Sequence, residues 1–472
     1  MQIKQIFINS LWFGVVPKLT IIITVIIMPL ITPYLTATDY GILGIISSYS
    51  AIISSLSSLG LNMHLTNSYY EYKNKFYLIW GRILFLLIIS GIVCSIILSV
   101  LLFWALPEMS SKYYIIIFLL ASSPIILNSN LLLANHLYTL RSSPKKLVLP
   151  ILFSNIIGIS TSFILVKYFK MGFIGMLSSS ATSSIIAFIL FYKPLWIKEK
   201  ITPIFDKSRK RIMDMIIIAL PVIPHTLGFM FLSSSDRIIM NIYNIPTVEI
   251  GYYTIGYTMG DYITVITAAL ITALMPRIQE LYRSSNLLKL KNIFIVSQGF
   301  TMILVFFFAI WMPEIFKILI RNPDLQKGCS IASLICFSNI IYPLYALLST
   351  IIFIEKKTKK LLWLVFVPGI INIFLNILLI PLFGYKAAIY TTLFAYWILL
   401  LIPICLKYFS DLFLKIFPSK YVLLKLFIIF LSLLVISNII SIYSFVFKIF
   451  ITLTLSIILL TYIDKKRSIF EF

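Results

Sequence analysis

Six residues set in long apolar stretches have the chemistry to hold or carry charge: Lys18, His225, Asp236, Arg237, Tyr257 and Asp261. An ionised side chain midway through a membrane helix costs roughly 2.5 to 3.5 kcal/mol on insertion scales, so one that persists usually lines a path for substrate or ion, or pairs with a neighbour. His225 and Asp236 stand eleven residues apart, about three helical turns, and share a face with Phe229 and Leu232 between them; Arg237 lies about 100° round. A guanidinium matches the oxygens of a phosphate in a fork geometry, which makes Arg237 a candidate for an anionic substrate, although an Asp236–Arg237 ion pair or helix cap would use the same residues. His225, flanked by Pro221 and Pro224, fits a hydrogen-bonded structural role as well as a proton carrier. Lys18 either lines an anionic site with Ile22, Val25 and Pro29 on its face, or snorkels to the headgroups. Thr254, Tyr257, Thr258, Asp261, Thr264 and Thr272 form a polar stripe, costly against lipid and suited to a water-filled cavity or a helix interface. Asp261, near its middle, is a candidate for a coupling proton or cation, or for a structural pair with a nearby Ser, Tyr or Lys18.

The elements that must position these residues are membrane helices. The chain has 472 residues, 60% of them hydrophobic and only 12% charged, which leaves too little polar surface to coat a soluble particle. Apolar runs of about 20 residues, enough to cross a hydrocarbon core of about 30 Å, fall near 10–35, 40–65, 78–104, 113–138, 147–167 and 172–193. They resume near 212–240, 249–276, 292–312, 328–354, 361–381, 386–406, 421–440 and 443–463, fourteen in all. No cleavage site closes the first run, which is expected to remain as a helix. Basic residues gather at the N-terminus, in the loops after even-numbered helices and at Lys465-Lys466-Arg467, so both termini are expected to be cytoplasmic. The net charge of +23 is therefore a topology signal and does not point to nucleic acid. Cys94, Cys329, Cys336 and Cys405 are scattered singly, and no metal-ligand cluster, Walker motif or phosphate-binding glycine loop is present, so no cofactor is expected.

An internal duplication shows at an offset of about 207 to 214 residues. Trp104-Ala105-Leu106-Pro107-Glu108 answers Trp311-Met312-Pro313-Glu314, Pro144-Lys145-Lys146 answers Thr358-Lys359-Lys360, and Asp39-Tyr40-Gly41 answers Glu249-Ile250-Gly251. The fold class expected is an all-α integral membrane protein with two six-helix lobes, 1–200 and 201–410, related by a pseudo-twofold along the membrane normal, followed by two additional helices and a basic tail in 411–472. Prolines inside spans, at 17, 29, 33, 221, 224, 343 and 368, permit bends. Serines 47, 50, 54, 57 and 58 and the run 178–184, with Asn155, Asn372 and Asn376, suit close helix packing. The expected outer loops are short, the longest running from about Met312 to Lys327, which leaves no room for the folded extracytoplasmic segment of a membrane glycosyltransferase or polymerase.

The run Thr36 to Ile42 (TATDYGI), the run Ser233 to Met240 (SSSDRIIM) and Glu249-Ile250-Gly251-Tyr252-Tyr253 resemble bacterial polysaccharide biosynthesis proteins, the Wzx-type O-antigen and capsule-unit flippases of the multidrug/oligosaccharidyl-lipid/polysaccharide exporter superfamily. The likeness covers about residues 1–410. It implies a non-enzymatic transporter of the bacterial cytoplasmic membrane that moves an undecaprenyl-pyrophosphate-linked oligosaccharide across the bilayer by alternating access, driven by a proton or sodium ion. Membrane lipid and polysaccharide assembly proteins are the further partners it suggests. By position Lys18, Arg237 and Tyr257 become substrate-binding candidates, and Asp261, Asp236 and His225 coupling-ion candidates. The same superfamily includes ion-coupled multidrug exporters, which usually concentrate carboxylates in the cavity of the first lobe, where the one charge expected in this chain is Lys18.

Overall fold

In the computed structural model the described residues are 12, 19–72, 75–106, 111–206, 208, 210, 213, 215, 217, 223–417, 421–440, 447–449, 451, 452 and 454, and they form seventeen helices and no strand. Ten helices are long and apolar enough to cross a membrane, and they coincide with expected spans two to six and eight to twelve. Of the other four, the first and the seventh are described only in part, as the shorter apolar segment Leu19–Tyr34 and as the helix Ile223–Ile242; the thirteenth gives Val422–Ser437, and the fourteenth lies largely outside the described residues. The chain is a multi-pass, all-helical membrane protein.

By internal packing it divides into two compact units, Met1–Gly251 and Tyr252–Phe472. The first contains α1 (Leu19–Ile31), α2 (Ala37–Ser57), α3 (Asn62–Glu71), α4 (Phe76–Ala105), α5 (Ser111–Leu140), α6 (Pro144–Lys167), α7 (Gly172–Tyr192) and α8 (Ile223–Ile242), with the first turn of α9 (Thr247–Arg283). The start of α2 is dictated locally. Thr36 Oγ1 accepts from the Asp39 amide at 3.1 Å while Asp39 Oδ2 accepts from the Thr36 amide at 2.8 Å, a reciprocal capping box. The other Asp39 oxygen accepts from the Phe173 amide at 2.9 Å, in the first turn of α7. One carboxylate thus serves two helix N-termini, each of which favours a negative charge.

A glycine two residues further along the same motif sets how close two helices come. A Cβ on Gly41 would collide with the Thr247 carbonyl, and a Cβ on Gly251 with the Ala37 carbonyl. The first turn of α2 and the first turn of α9 therefore cross through two glycines placed reciprocally, at positions 210 residues apart in the duplication. Elsewhere in this unit α6 and α7 pack along their length, with Gly158 against Ser179 and Ser183, so the serine run serves close approach as its composition suggests. In the same unit Trp80 is wholly buried among Leu61, Leu65, Leu84, Leu137 and Phe191, and its indole N–H reaches Ser68 Oγ at 3.1 Å.

The second unit contains the rest of α9, then α10 (Leu287–Ile310), α11 (Met312–Leu319), α12 (Cys329–Ser338), α13 (Tyr342–Ile354), α14 (Leu361–Phe383), α15 (Tyr385–Cys405), α16 (Lys407–Ile416) and α17 (Tyr421–Ile440). Expected span 328–354 is two helices, interrupted by a 3₁₀ turn over Asn339–Ile341 ahead of Pro343. Proline lacks the amide hydrogen that would continue the helical ladder and is best placed in a first turn, so it opens α13. Two stretches outside the expected spans, around 312–319 and 407–416, are short helices with one strongly apolar face. Asn372 and Asn376 of α14 join Thr391 and Thr392 of α15 in a buried hydrogen-bond ladder, and these asparagines bind helix to helix.

Candidate functional site

The charged residues of the spans occupy two different settings. In the first unit, α8 packs chiefly on α2 and turns Leu232, Ser234, Ser235, Asp236, Arg237, Ile239 and Met240 inward. Asp236 is 0% exposed and Arg237 6%. The Arg237 Nη1 donates to the Ser233 carbonyl one turn back at 2.8 Å, and Asn241 at the helix end donates to the Ala105 carbonyl at 3.0 Å. These contacts hold the end of α8 to its own backbone and to the end of α4. His225, near the opposite end of α8, is half-buried, its ring set edge-on to Phe229 at 5.5 Å. Lys18 lies outside the described residues.

In the second unit, α9 approaches α12 very closely, because Gly256 faces Gly328 and Gly260 faces the Ala332 carbonyl with no room for a Cβ. Tyr257 is buried beside Tyr253, ring centres 5.9 Å apart. One turn further on, the Asp261 carboxylate stays exposed, about 21 Å along the helix from Thr247 at 1.5 Å per residue. Thr264 Oγ1 is 2.6 Å from Asp261 Oδ1 and 2.8 Å from the Asn339 side chain. The Thr264 hydroxyl is thus shared between two acceptors, Asp261 Oδ1 and Asn339 Oδ1. Gln298 of α10 donates to the Ile340 carbonyl at 2.7 Å, capping a carbonyl that the 3₁₀ interruption exposes. The helix break thus brings Asn339 to α9 and supplies three side-chain oxygens, on Asp261, Thr264 and Asn339, linked through the Thr264 hydroxyl. Oxygen donors of this kind suit a proton or a hard cation. Among the described residues there is no cluster of three or more His, Cys, Asp or Glu that could hold a metal ion.

Spacing alone does not bring Asn339 into this group. Its signal is present in the Asn339-Ile340-Ile341-Tyr342-Pro343 run, since a proline four residues after an asparagine inside a span marks a break that the asparagine can bridge. The sequence pattern also leaves unmarked a cluster at the start of α9 in this unit. Tyr252 Oη donates to Asp324 Oδ1 at 2.8 Å, and Lys327 Nζ lies 2.8 Å from the same oxygen. Hydrogen bonds from Lys327 and Tyr252 hold the Asp324 carboxyl below the usual carboxylate range.

Residues 6–282 match a family model described as polysaccharide biosynthesis protein. No curated protein sequence matches the chain. Among solved structures, an inward-facing multidrug resistance MATE family transporter of the MOP superfamily is similar at 12% identity, with a TM-score of 0.62 over 87% of this chain and 96% of the other. The lipid II flippase MurJ, in an inward closed conformation, is similar at 13% identity and a TM-score of 0.62 over 91% of this chain and 98% of that one. A MOP superfamily transporter from Pyrococcus furiosus gives 13% identity and a TM-score of 0.54 over 84% and 93%. At these identities the likeness is one of fold: the chain has the fold of MOP superfamily transporters.

Proposed function

The chain belongs to the polysaccharide biosynthesis protein family, and on that premise we propose that it is a flippase for an undecaprenyl-pyrophosphate-linked oligosaccharide, an O-antigen or capsule repeat unit, in the bacterial cytoplasmic membrane. The observation that carries this reading is the family match over residues 6–282 together with a fold that both drug transporters and a lipid II flippase share. In this reading no bond is made or broken. Two six-helix lobes, about 1–200 and 201–410, alternate in opening to the two sides, and the polyprenyl tail stays in lipid.

The residues take distinct roles. Arg237 and Lys18 attract the pyrophosphate, Arg237 with the geometric advantage of its planar fork, and Tyr257 offers a ring to a sugar. Arg237 and Tyr257 are buried in this structure, so both roles belong to a state in which their helices part. Asp261, with Thr264 and Asn339, takes the coupling proton or sodium ion. An exposed carboxylate midway along a span is tolerated where it meets water, which is what an ion path requires. Asp236 and His225 stand behind these as support for the end and start of α8. The multidrug-exporter alternative leans on carboxylates in the first lobe. Asp39 of that lobe weighs against it, since its carboxylate is committed to two helix caps.

Complementation tests the reading. In a strain lacking its own repeat-unit flippase, the wild-type chain restores surface polysaccharide, and Arg237→Ala, Lys18→Ala and Asp261→Ala at matched abundance do not, with lipid-linked units building up on the cytoplasmic side. Full activity in all three variants would return those charges to structural roles.

A further inference from the structure

The corner between α13 and α14 carries a concentrated positive charge. Lys356, Lys357, Lys359 and Lys360 crowd into five residues there, and Lys407 at the start of α16 is exposed as well. Asp411 stands one turn from Lys407 on α16, while within the run itself the neighbouring carboxylate is Glu355, whose oxygens are already occupied. Tyr282 donates to Oε1 at 2.5 Å, Tyr408 donates to Oε2 at 3.0 Å, and Lys357 Nζ is 2.8 Å from Oε2. Burial alone would raise the Glu355 carboxyl, but those hydrogen bonds and the Lys357 charge outweigh it and hold the group down at about 2. The carboxylate neutralises Lys357 and leaves the other ammonium groups without a balancing acid among the contacts described.

The same clasp fixes the lysines in place. Tyr408 ties α16 to the end of α13, and its ring centre lies 4.9 Å from Lys357 Nζ and 5.3 Å from Lys360 Nζ. α16 buries Phe409, Leu412, Phe413 and Ile416 against the protein and keeps Lys407, Asp411 and Lys415 exposed. Two large aromatic side chains flank the run and stay open: Phe353, three residues before Lys356, is 51% exposed, and Trp363, three residues after Lys360, is 44% exposed. Exposed tryptophan at the end of a span marks headgroup depth. Basic groups and open aromatic rings at one level fit a molecule with an anionic head and hydrocarbon chains.

We infer that the Lys356–Lys360 corner is an anchoring site for an anionic membrane phospholipid, whose phosphate lies among Lys356, Lys359 and Lys360 and whose chains lie against Phe353 and Trp363. The occupant is a resident bilayer lipid, because the rings that flank the lysines are exposed at the ends of membrane helices, where lipid is the surrounding solvent. Each lysine near an anionic surface contributes about a fivefold gain in affinity, so removing three weakens retention of such a lipid by roughly a hundredfold.

The full chain in vesicles of phosphatidylcholine, with and without phosphatidylglycerol, tests this by thermal unfolding and by counting co-purified phosphatidylglycerol in native mass spectrometry. Phosphatidylglycerol raises Tm in the wild type; K356Q/K359Q/K360Q loses more than half of that rise and its bound lipid, K356R/K359R/K360R keeps both, and K146Q/K193Q/K198Q, three exposed lysines of the first unit, keeps both. Equal loss in the two glutamine triples would overturn the site in favour of diffuse charge. Inorganic pyrophosphate reproducing the rise in phosphatidylcholine alone would overturn the resident-lipid assignment and give the corner to the phosphates of the cargo.

Discussion

Asp236 and Asp261 are both carboxylates inside membrane helices, yet one is sealed into a helix interface and the other stands open. Asp236 shares α8 with Arg237 and is 0% exposed, on a helix that packs on α2. Asp261 is exposed on α9 and reaches through Thr264 to Asn339, at the 3₁₀ turn that interrupts the helix between α12 and α13. A charge that is fully enclosed has its energy committed to the structure, since removing its partners or the charge itself leaves a neighbour unsatisfied. A charge that stays open can change partners, which is the property that binding and coupling need. The same sequence signal thus divides into an enclosed and an open member once packing is known.

The largest effect separates the two. Asp236→Ala is expected to cost about 1 to 3 kcal/mol, the range for removing a buried polar group and leaving a neighbour unsatisfied, and to appear as lost protein in the membrane and a lowered unfolding temperature. Asp261→Asn is expected to leave abundance and Tm unchanged while transport falls at least tenfold, about 1.4 kcal/mol in the rate-limiting step. Equal loss of abundance in both, measured by quantitative blotting beside a transport assay, would collapse the distinction.

Much of the fold is legible in the amino-acid sequence. Ten spans fall where apolar length puts them, because a bilayer leaves a helix few alternatives. Spacing also places Asp236, Arg237 and Asp261 on helices. Burial is not legible in this way, because Asp236 and Asp261 sit in similarly apolar sequence and only the partners of α8 and α9 distinguish them. The motif Thr36 to Gly41 marks the family correctly, but its chemistry is architectural: Asp39 caps α2 and α7, and Gly41 lets α2 cross α9. Short helices such as α11 and α16 escape a search for spans since ten residues or fewer cannot cross, and a single apolar face of that length resembles a loop with scattered hydrophobics.

A smaller effect sharpens the open side of the comparison. Thr264→Val removes the hydroxyl that links Asp261 to Asn339 while keeping the branched shape. It is expected to cost about 1 kcal/mol, the net worth of a hydrogen bond, seen as a severalfold fall in transport or a shift in the coupling-ion concentration at half-maximal rate. Asn339→Ala should act in the same direction, and the double variant should cost less than the sum of the two, since both break one chain. Strict additivity would mean that Asn339 serves the helix break alone.

The smallest expected effect is an absence of change. Glu355, clasped by Tyr282, Tyr408 and Lys357, has its carboxyl held at about 2, whereas a glutamate in an unfolded chain titrates near 4.3. A depressed carboxylate contributes stability that is fully present above the unfolded value and is lost as pH falls through the folded one. The clasp is therefore intact from pH 8 down to about 5 and loosens between about 4.3 and 2. Thermal unfolding of wild type and Glu355→Gln across pH 8 to 5 should show a constant, modest offset, and a gap that closed within that window would mean the clasp does not hold the carboxyl down. With the offset constant, any pH dependence of transport between 8 and 5 arises from groups other than this one.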